Sequence, residues 1–338
     1  MLDSSPAPAA VVLCGLGTAE ADTIVSNSEV GGRLGVPADW ITSRTGITQR
    51  ICASAGTSTA DLAVRAAAAA LESAGKRDAD VVIVATATPD HRMPATAPAV
   101  AARLGLTGIA AFDIAAACTG LLYALQVAHG FIACAAAQRA LVIAVDRLSH
   151  LTDPEDPVTA PLFGDGAAAL VVRRGHADEP GALGGVLLGA DGRYADTLVV
   201  PHGKFMRMQG QKVFQHAVTR MSQAAEQAAA AAGWSVRDVD RFVPHQANAR
   251  ITAAVGRRLG FDGSRVLENI SLLGNTSAAS IPFALAHAAR GGALHPGHRV
   301  LLAAFGAGLT WGATTLTWPD VPCVTDRPDP SHRLEAAR

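Results

Sequence analysis

The chain has 338 residues, 49% of them hydrophobic, and a formal net charge of −1. These values predict a globular protein with a sizeable core and argue against a nucleic-acid or membrane-surface binder. The five cysteines show no Cys-x-x-Cys spacing, so a disulfide framework and a structural zinc site are disfavoured and no metal is predicted.

The N-terminal segment MLDSSPAPAA has an acidic residue and no basic stretch before the apolar VVLCGLG, so we predict no signal peptide. No apolar run reaches the roughly 20 residues that a membrane helix needs. Together with the cysteine pattern, these features lead us to expect a soluble cytoplasmic protein.

Helical and strand patterns alternate along the chain. Alanine-rich stretches predict helices over Asp61–Ser73, Thr119–Ala137, Val218–Ala232 and Ala278–Arg290. Apolar, β-branched runs predict buried strands over Val81–Thr86, Ala140–Val145 and Arg299–Phe305. This alternation is typical of a layered α/β architecture.

Three segments interrupt the pattern with proline, glycine and mixed charge. Leu151–Pro161 and Asp191–Gln211 are predicted to be loops over the entrance of a site. Pro319–Arg338 is proline-rich and charged, and is predicted to be a frayed tail.

An internal repeat has a constant offset of 160 residues. Tyr123, Ala124, Leu125, Arg139, Leu141 and Ala144 correspond to Phe283, Ala284, Leu285, Arg299, Leu301 and Ala304, and Asp80 corresponds to Asp240. An offset kept across helix, connection and strand predicts one supersecondary unit used twice. The alternative is chance agreement in an alanine-rich chain.

Cys118 lies in the stretch AAFDIAAACTGLLYALQ, where a predicted strand gives way to a predicted helix. The dipole of a helix favours a thiolate at its N-terminus, and the unpaired N–H groups there can hold an oxyanion. The small neighbouring residues leave room for a substrate. Cys118 is therefore a candidate nucleophile, and the alternative is a buried structural cysteine.

Two other residues and one motif could complete such a site. His245, in RFVPHQANAR, follows a predicted strand, where α/β proteins place reacting groups. Asn275, in LLGNTSAAS, is interpreted either as a turn and cap or as a neutral donor aimed into a pocket. The glycines of AAFGAGLTWG, around Ala307, allow backbone N–H groups to turn toward a ligand.

Six segments then stand in a recognisable order: DWITSRTGITQR (39–50), AFDIAAACTG (111–120), LFGDGAAA (162–169), VPHQANARI (243–251), GNTSAAS (274–280) and FGAGLTWG (305–312). In these segments the chain resembles the β-ketoacyl-acyl-carrier-protein synthase III family of the thiolase superfamily. The resemblance implies an α/β, thiolase-like fold, a duplicated layered αβαβα architecture with two related halves. We expect the nucleophile's half over residues 8–175, the histidine and asparagine half over 176–318, and a flexible tail over 319–338.

The resemblance also implies a catalytic triad of Cys118, His245 and Asn275, with an oxyanion hole made by the backbone N–H groups of Cys118 and Ala307. Cys118 would accept an acyl group from a thioester, and a malonyl thioester would then lose CO2. His245 and Asn275 would stabilise the resulting enolate. An aspartate at position 275 would repel that enolate, so Asn275 favours carbon–carbon bond formation.

Three groups of binding residues follow from the same resemblance. The positions that bind coenzyme A and its pantetheine arm are matched by Trp40, Arg44 and Asn248. The acyl pocket is assigned Met93, Phe163 and Phe305. The basic surface where an acidic carrier protein docks is matched by Arg250, Arg257 and Arg258. Met93 corresponds to a residue that reaches the pocket across a dimer interface.

Asp165 is interpreted as structural. Pro157 stands where family members often have an arginine near the coenzyme A nucleotide, which leaves the acyl donor open between coenzyme A and a carrier protein.

The expected enzyme is a homodimeric acyltransferase that condenses an acyl-CoA with malonyl-acyl carrier protein, priming fatty-acid or polyketide synthesis without a cofactor. One alternative is an acyltransferase that delivers the acyl group to an alcohol or amine without decarboxylation. A thiolase would need a second cysteine in the C-terminal glycine motif, which has none. A scaffolding partner of another ketosynthase would not need an intact Cys, His and Asn.

Overall fold

A computed structural model describes residues 10–327 of the chain. The strands are β1 Ala10–Glu20, β2 Thr23–Ser26, β3 Gln49–Cys52, β4 Val81–Ala85, β5 Ala110–Ile114, β6 Arg139–Arg147, β7 Asp165–Gly175, β8 Leu187–Ala190, β9 Leu198–Val199, β10 Arg207–Met208, β11 Arg241–Pro244, β12 Arg299–Gly306, β13 Thr310–Thr317 and β14 Cys323–Asp326. The helices are α1 Asn27–Leu34, α2 Ala38–Thr45, α3 Thr59–Ser73, α4 Thr96–Arg103, α5 Gly120–Ala133, α6 Gly210–Ala231, α7 Ala249–Leu259, α8 Ile270–Leu273 and α9 Ser280–Arg290. Nearly all of the segment used for the signal-peptide prediction, and the last eleven residues of the expected tail, lie outside the described residues.

Two sheets stack with helices between them and on both outer faces. The larger sheet has the strand order β14-β1-β7-β6-β4-β5, and the smaller has the order β11-β12-β13-β8. Helices α5 and α9 share one apolar core with both sheets. Helices α3 and α4 cover the outer face of the larger sheet, and α6 and α7 cover the outer face of the smaller one. The predicted αβαβα layering is confirmed.

The 160-residue repeat corresponds to repeated structure. In each copy a strand (β4 or β11) pairs in parallel with a second strand (β6 or β12). In each copy a 3-10 turn leads into a central helix, over 117–119 before α5 and over 277–279 before α9. The equivalent carboxylates make equivalent bonds, since Asp80 accepts from the Arg139 N–H at 2.9 Å and Asp240 accepts from the Arg299 N–H at 2.7 Å. The duplication predicted from a few spaced residues is therefore present in the fold.

Two predicted helix boundaries are wrong, each for a local reason. Helix α6 begins at Gly210 rather than Val218, because Val213 and Ala217 already face the core while their polar neighbours face solvent. Helix α5 ends at Ala133 rather than Ala137, since Ala135 takes a φ of 58°, which a helix does not permit. The predicted loop Asp191–Gln211 therefore contains β9, β10 and the start of α6.

The C-terminal segment predicted to be frayed contains a strand. β14 pairs in parallel with β1 at the edge of the larger sheet. The pairing is reinforced by a 2.8 Å hydrogen bond between the hydroxyls of Thr18 and Thr325 and by an ion pair between Arg65 and Asp326. The prediction of a frayed tail was wrong for residues 323–326, because the proline-rich composition hid a short strand that completes a sheet edge.

Gly17 allows β1 and α3 to approach closely, so Gly17→Ala should destabilise the protein strongly. A Cβ at this position would overlap backbone atoms of Ala66 and Ala70. We expect a loss of about 3 kcal/mol in the free energy of unfolding, measured by urea denaturation. Gly32→Ala, in α1 with no atom within 4 Å, should instead be neutral or slightly stabilising. Equal effects of the two substitutions would contradict this packing.

Candidate active site

Cys118 lies in the 3-10 turn that joins β5 to helix α5, in the layer between the two sheets. Ala117 holds a φ of 46°, which turns the chain sharply and presents Cys118 at the start of the helix. Gly306, at the end of β12, passes so close that a Cβ there would lie 3.0 Å from the Cys118 nitrogen. Cys118 is 8% exposed, so its thiol is reached only through cavities.

His245 and Asn275 come from the second half of the repeat. His245 follows β11, and its backbone N–H donates to the Ala303 carbonyl of β12 at 2.8 Å. Its Nδ1 lies 2.7 Å from the Ser280 hydroxyl, which holds the ring in place. Asn275 follows α8 and is held by two backbone hydrogen bonds. Its N–H donates to the Leu162 carbonyl at 2.8 Å, and its carbonyl accepts from the Gly164 N–H at 3.0 Å.

Two cavities meet at Cys118. Cavity A, of about 370 Å³, is lined by Cys118, His245 and Asn275 and extends to Trp40, Arg44 and Asn248. Cavity B, of about 660 Å³, is lined by Cys118, Phe163, Ser277 and Ala307 and continues on the other side of the sulfur. The structure therefore brings the three candidate catalytic residues to one cavity from the distant sequence positions 118, 245 and 275.

Ser277 contacts several of these groups and was missed by the sequence analysis. Its backbone N–H donates to Asn275 Oδ1 at 2.9 Å, and its hydroxyl donates to Cys118 Sγ at 3.5 Å. Like Ala117 in the other half of the repeat, it has a positive φ, here 53°. The bond to Oδ1 leaves the Nδ2 group of Asn275 as the donor available to cavity A. The repeat could have pointed to this residue, since position 277 is 160 residues after the turn residue 117.

Burial dominates the electrostatics of the site. It raises the pKa of Cys118 to about 12, and the Ser277 hydroxyl only partly opposes the shift. This burial opposes the helix dipole, which favours the thiolate. Burial lowers the pKa of His245 to about 4. At neutral pH the site therefore holds a protonated thiol and a neutral imidazole.

Ala307, the second residue expected in the oxyanion hole, lies close to Cys118. It follows Gly306, which lies against the Cys118 nitrogen, and it lines cavity B together with the thiol. Cys118 is in the first turn of its helical segment, where backbone N–H groups have no intrahelical acceptor. The two residues expected to form the oxyanion hole therefore line one cavity.

The residues assigned to coenzyme A lie together at the outer end of cavity A. The Arg44 guanidinium stacks over the Trp40 ring at 4.2 Å from its centroid. Asn248 caps helix α7 by accepting from the Arg250 N–H, and its side chain donates to the Arg44 carbonyl at 3.2 Å. Pro157 lines the same cavity, and it contributes no charge there.

The three residues assigned to the acyl pocket do not share one wall. Phe163 lines both cavities, Phe305 lines cavity A only, and Met93 lines neither. Met93 is 86% exposed, in the segment between β4 and α4. Sequence reasoning also missed that the outer wall of cavity B is basic, since it is formed in part by Arg92, His150, His202 and Lys204.

The three arginines assigned to carrier docking are exposed on helix α7. Arg250 and Arg257 line one groove of about 480 Å³ together with Phe214 and Ala253, and Arg258 does not contribute to it. Arg250 also lines cavity A, and its guanidinium donates to the Ser43 carbonyl at 3.0 Å. This basic groove therefore lies beside the mouth of cavity A.

Asp165 has the structural role interpreted from the sequence. Its buried carboxylate accepts from the Ala53 N–H at 2.8 Å and from both the N–H and the hydroxyl of Ser149.

Within residues 10–327 no group of three His, Cys, Asp or Glu residues could hold a metal ion. No described helix combines the length and apolarity needed to cross a bilayer.

Ser280→Ala should impair the chemistry of His245 without unfolding the protein. The substitution removes the partner of Nδ1 and frees the ring to rotate in its pocket. We expect malonyl decarboxylation to fall about 10-fold in kcat, as is typical when a positioning hydrogen bond is lost, with cysteine acylation little changed. Rates of CO2 release and of acyl-enzyme formation would be measured separately. Ser222→Ala, which removes another buried hydroxyl that has no hydrogen-bond partner, should change neither rate.

The duplicated five-layer fold, with a cysteine, a histidine and an asparagine at one cavity, defines a ketosynthase of the thiolase-like class. The family profile 3-Oxoacyl-[acyl-carrier-protein (ACP)] synthase III matches residues 112–192, which include Cys118. The profile of its C-terminal part matches residues 229–318, which include His245 and Asn275.

Similar proteins cover nearly the whole chain. Beta-ketoacyl-[acyl-carrier-protein] synthase III 5 of Streptomyces coelicolor is 50% identical over 325 residues, 92% of this chain and 98% of the relative. The crystal structure of 3-oxoacyl-(acyl carrier protein) synthase III from Pseudomonas aeruginosa PAO1 superposes with a TM-score of 0.90 at 47% identity, covering 92% of this chain and 99% of that one. The crystal structure of the priming β-ketosynthase from the R1128 polyketide biosynthetic pathway superposes with a TM-score of 0.88 at 34% identity, covering 95% of this chain and 100% of that one. The chain belongs to the β-ketoacyl-[acyl-carrier-protein] synthase III family.

Proposed function

We propose that the protein joins an acyl thioester to malonyl-acyl carrier protein with loss of CO2, and so primes fatty-acid or polyketide synthesis. The observation that supports this most is the meeting of Cys118, His245 and Asn275 at cavity A, with a second cavity open behind the sulfur. A single acyl transfer to an alcohol or amine would not require the neutral amide donor at position 275.

In the first half-reaction the Cys118 sulfur attacks the thioester carbonyl. The backbone N–H groups of Cys118 and Ala307 stabilise the oxyanion of the tetrahedral intermediate, and the thiol of the donor leaves through cavity A. The acyl chain extends into cavity B, whose inner part is formed by Leu148, Phe163 and Leu198. The thioester bond to the donor breaks as the thioester bond to Cys118 forms.

In the second half-reaction a malonyl thioester occupies cavity A. Its carboxylate leaves as CO2, and the negative charge passes to the thioester oxygen as an enolate. Nε2 of His245, in the tautomer that carries its proton there, and the Nδ2 group of Asn275 donate to that oxygen. The enolate carbon then attacks the acyl carbonyl, and as the new carbon–carbon bond forms the carbon–sulfur bond breaks and Cys118 leaves as its thiolate.

The partners of the reaction follow from the surface around cavity A. Trp40 and Arg44 hold the nucleotide end of coenzyme A, and Asn248 lies along the pantetheine path. The groove of Arg250 and Arg257 docks the acidic carrier protein. The exposed Met93 fits a homodimer in which each protomer closes the outer end of its partner's cavity B, and no cofactor takes part beyond the two thioesters.

A reconstituted reaction tests this function. Purified protein is incubated with a panel of acyl-CoAs and malonyl-acyl carrier protein, and the carrier protein is analysed by mass spectrometry while CO2 is trapped. We expect a β-ketoacyl-carrier product, with one CO2 released for each molecule of product formed. Because the outer wall of cavity B is basic, the panel includes donors with polar or carboxylated ends beside acetyl and branched donors. Acyl transfer to a hydroxyl or amine without CO2 release would contradict the proposed function.

A further inference from the structure

Cavity B changes character between the sulfur and the protein surface. Its inner wall is apolar, since it is formed by the buried Leu148 and Phe163 with the half-buried Leu198 beside them. Its outer wall contains four exposed basic side chains, those of Arg92, His150, His202 and Lys204. Among the described residues, no aspartate or glutamate lines the cavity. An acyl chain that extends from Cys118 therefore runs along apolar side chains and ends among basic ones.

The positive charges of the outer wall have no acidic partner in the fold. Within residues 10–327 neither Arg92 nor Lys204 forms an ion pair with a carboxylate. Asp90, two residues before Arg92, is turned toward helix α3, where it accepts from the N–H groups of Thr59 and Ala60 at 2.8 and 2.9 Å. The outer wall therefore offers its charge to whatever occupies the cavity.

Two histidines hold their places at this wall through arginines. The Arg92 guanidinium lies against the His202 ring, and Nη2 of Arg147 lies 2.6 Å from Nε2 of His150. A guanidinium has only donors, so each imidazole accepts from it and is neutral. His202 thus orients Arg92 without cancelling its charge. A planar guanidinium matches a carboxylate through two parallel hydrogen bonds.

Lys204 contributes less to the cavity than Arg92 does. It also lines a second groove, of about 610 Å³, together with Asp153, Asp156 and Arg207. Each of the two carboxylates already accepts a backbone N–H of its own loop at 3.0 Å. Because these acids face Lys204 from the other side, Arg92 supplies the larger share of the charge in cavity B.

Closure of cavity B by a second protomer would increase the need for an anion. Met93, the residue proposed to reach the partner's cavity, is the immediate neighbour of Arg92 and is 86% exposed. A wall that is covered by a partner loses its hydration, and a buried cation is costly unless it is paired. A negative charge at the far end of the acyl group would supply that pair.

We propose that the preferred acyl donors are ω-carboxyacyl thioesters, the half-thioesters of straight-chain dicarboxylic acids. The thioester end reacts at Cys118, the methylene chain lies along Leu148 and Phe163, and the terminal carboxylate pairs with Arg92 and, more weakly, with Lys204. The bonds that form and break are those of the acylation described above, and the terminal carboxylate stays ionised and unreacted. The inference rests on the proposed function, since it names the substrate class of its first half-reaction.

The test compares three donors that differ only at the far end. Glutaryl-CoA carries the carboxylate, its terminal amide is polar and uncharged, and 4-methylpentanoyl-CoA has the same shape with two methyl groups. The second-order rate constant for acylation of Cys118 is measured by rapid quench and mass spectrometry. The comparison is repeated with donors one and two methylenes longer, so that one set reaches the outer wall. For that set we expect the carboxylate donor to react about 10-fold faster or more than either neutral donor.

Variants of the outer wall identify the partner of the carboxylate. In Arg92→Gln the ratio of the carboxylate rate to the amide rate should fall about 10-fold, and in Lys204→Gln it should fall by a smaller factor. A ratio taken within one variant is insensitive to a fraction of misfolded protein. Arg103→Gln is the matched control, because Arg103 pairs with Asp61 at 2.8 Å and lines neither cavity. It should leave the ratio unchanged.

Two results would overturn the inference. One is a neutral donor that reacts as fast as the carboxylate donor at every length. The other is a ratio that stays unchanged in both Arg92→Gln and Lys204→Gln while sedimentation shows a weakened dimer, since the wall would then pair with an acidic residue of a second protomer.

The proposed function is tested separately, because the acylation assay contains no malonyl-acyl carrier protein. Selective acylation by carboxylate donors, followed on addition of acceptors by transfer to a hydroxyl or amine without CO2, would overturn the proposed function and support this inference. Condensation with CO2 release from neutral donors alone would do the reverse.

Discussion

Cys118→Ala should abolish covalent acylation of the protein by acyl-CoA. The sulfur is the one nucleophile at the junction of the two cavities, and removing a covalent nucleophile typically costs roughly 10⁴-fold or more in rate. Intact-protein mass spectrometry after incubation with the donor should show one acyl increment for the unchanged protein and none for the variant. Product formation should fall in parallel.

Cys134→Ala is the control for this result. Cys134 is the exposed cysteine among those of the described chain, so it is the thiol most open to adventitious acylation. Its removal should leave both the increment and turnover unchanged. An acyl increment that persists in Cys118→Ala and disappears in Cys134→Ala would show that a different thiol carries the group.

Asn275→Asp should separate the two half-reactions. In the unchanged protein the Ser277 N–H donates a hydrogen bond of 2.9 Å to Oδ1 of Asn275. An aspartate keeps an oxygen that can accept this bond, so the local turn is retained. It replaces the Nδ2 donor by a negative oxygen, which repels the developing enolate. We expect malonyl decarboxylation and condensation to fall about 10²- to 10³-fold, as for loss of an oxyanion donor, with acylation of Cys118 retained.

Asn275→Ala is the second variant, because it removes the donor without adding charge. Its condensation rate should lie between those of the aspartate variant and the unchanged protein. Acyl-enzyme formation is measured by rapid quench and mass spectrometry, and condensation by CO2 release. An equal loss of both half-reactions in both variants would refute the division of labour between Cys118 and Asn275.

The sequence predicted the fold well where structure depends on local pattern. The duplicated unit was visible from spaced residues, because Asp80 and Asp240 perform the same task at the start of β6 and β12. The turn before α5 was visible from small residues around a lone cysteine. Strand β14 was not visible, because four residues in a proline-rich segment form a strand only when β1 offers them an edge.

Within the site, the sequence identified residue types but not the contacts between distant segments. The sequence analysis assigned no role to Ser277 or Ser280, yet one contacts Cys118 and the other lies 2.7 Å from Nδ1 of His245. The thiolate expected from the helix dipole depended on solvent exposure, which no local pattern reports. Depth of burial is set by the packing of both sheets, and it raises the pKa of Cys118 against the effect of the dipole.

A single-turnover chase tests the central claim most directly. Acyl-enzyme is prepared with an acyl-CoA, freed of donor, and mixed with malonyl-acyl carrier protein, while the acyl group on the Cys118 peptide, CO2 and the carrier product are followed together. The account predicts that the Cys118 adduct decays at the rate at which one CO2 and one β-ketoacyl-carrier product appear for each adduct lost. Product that forms while the adduct persists, or an adduct that decays by hydrolysis or by transfer to oxygen or nitrogen with no CO2, would contradict it.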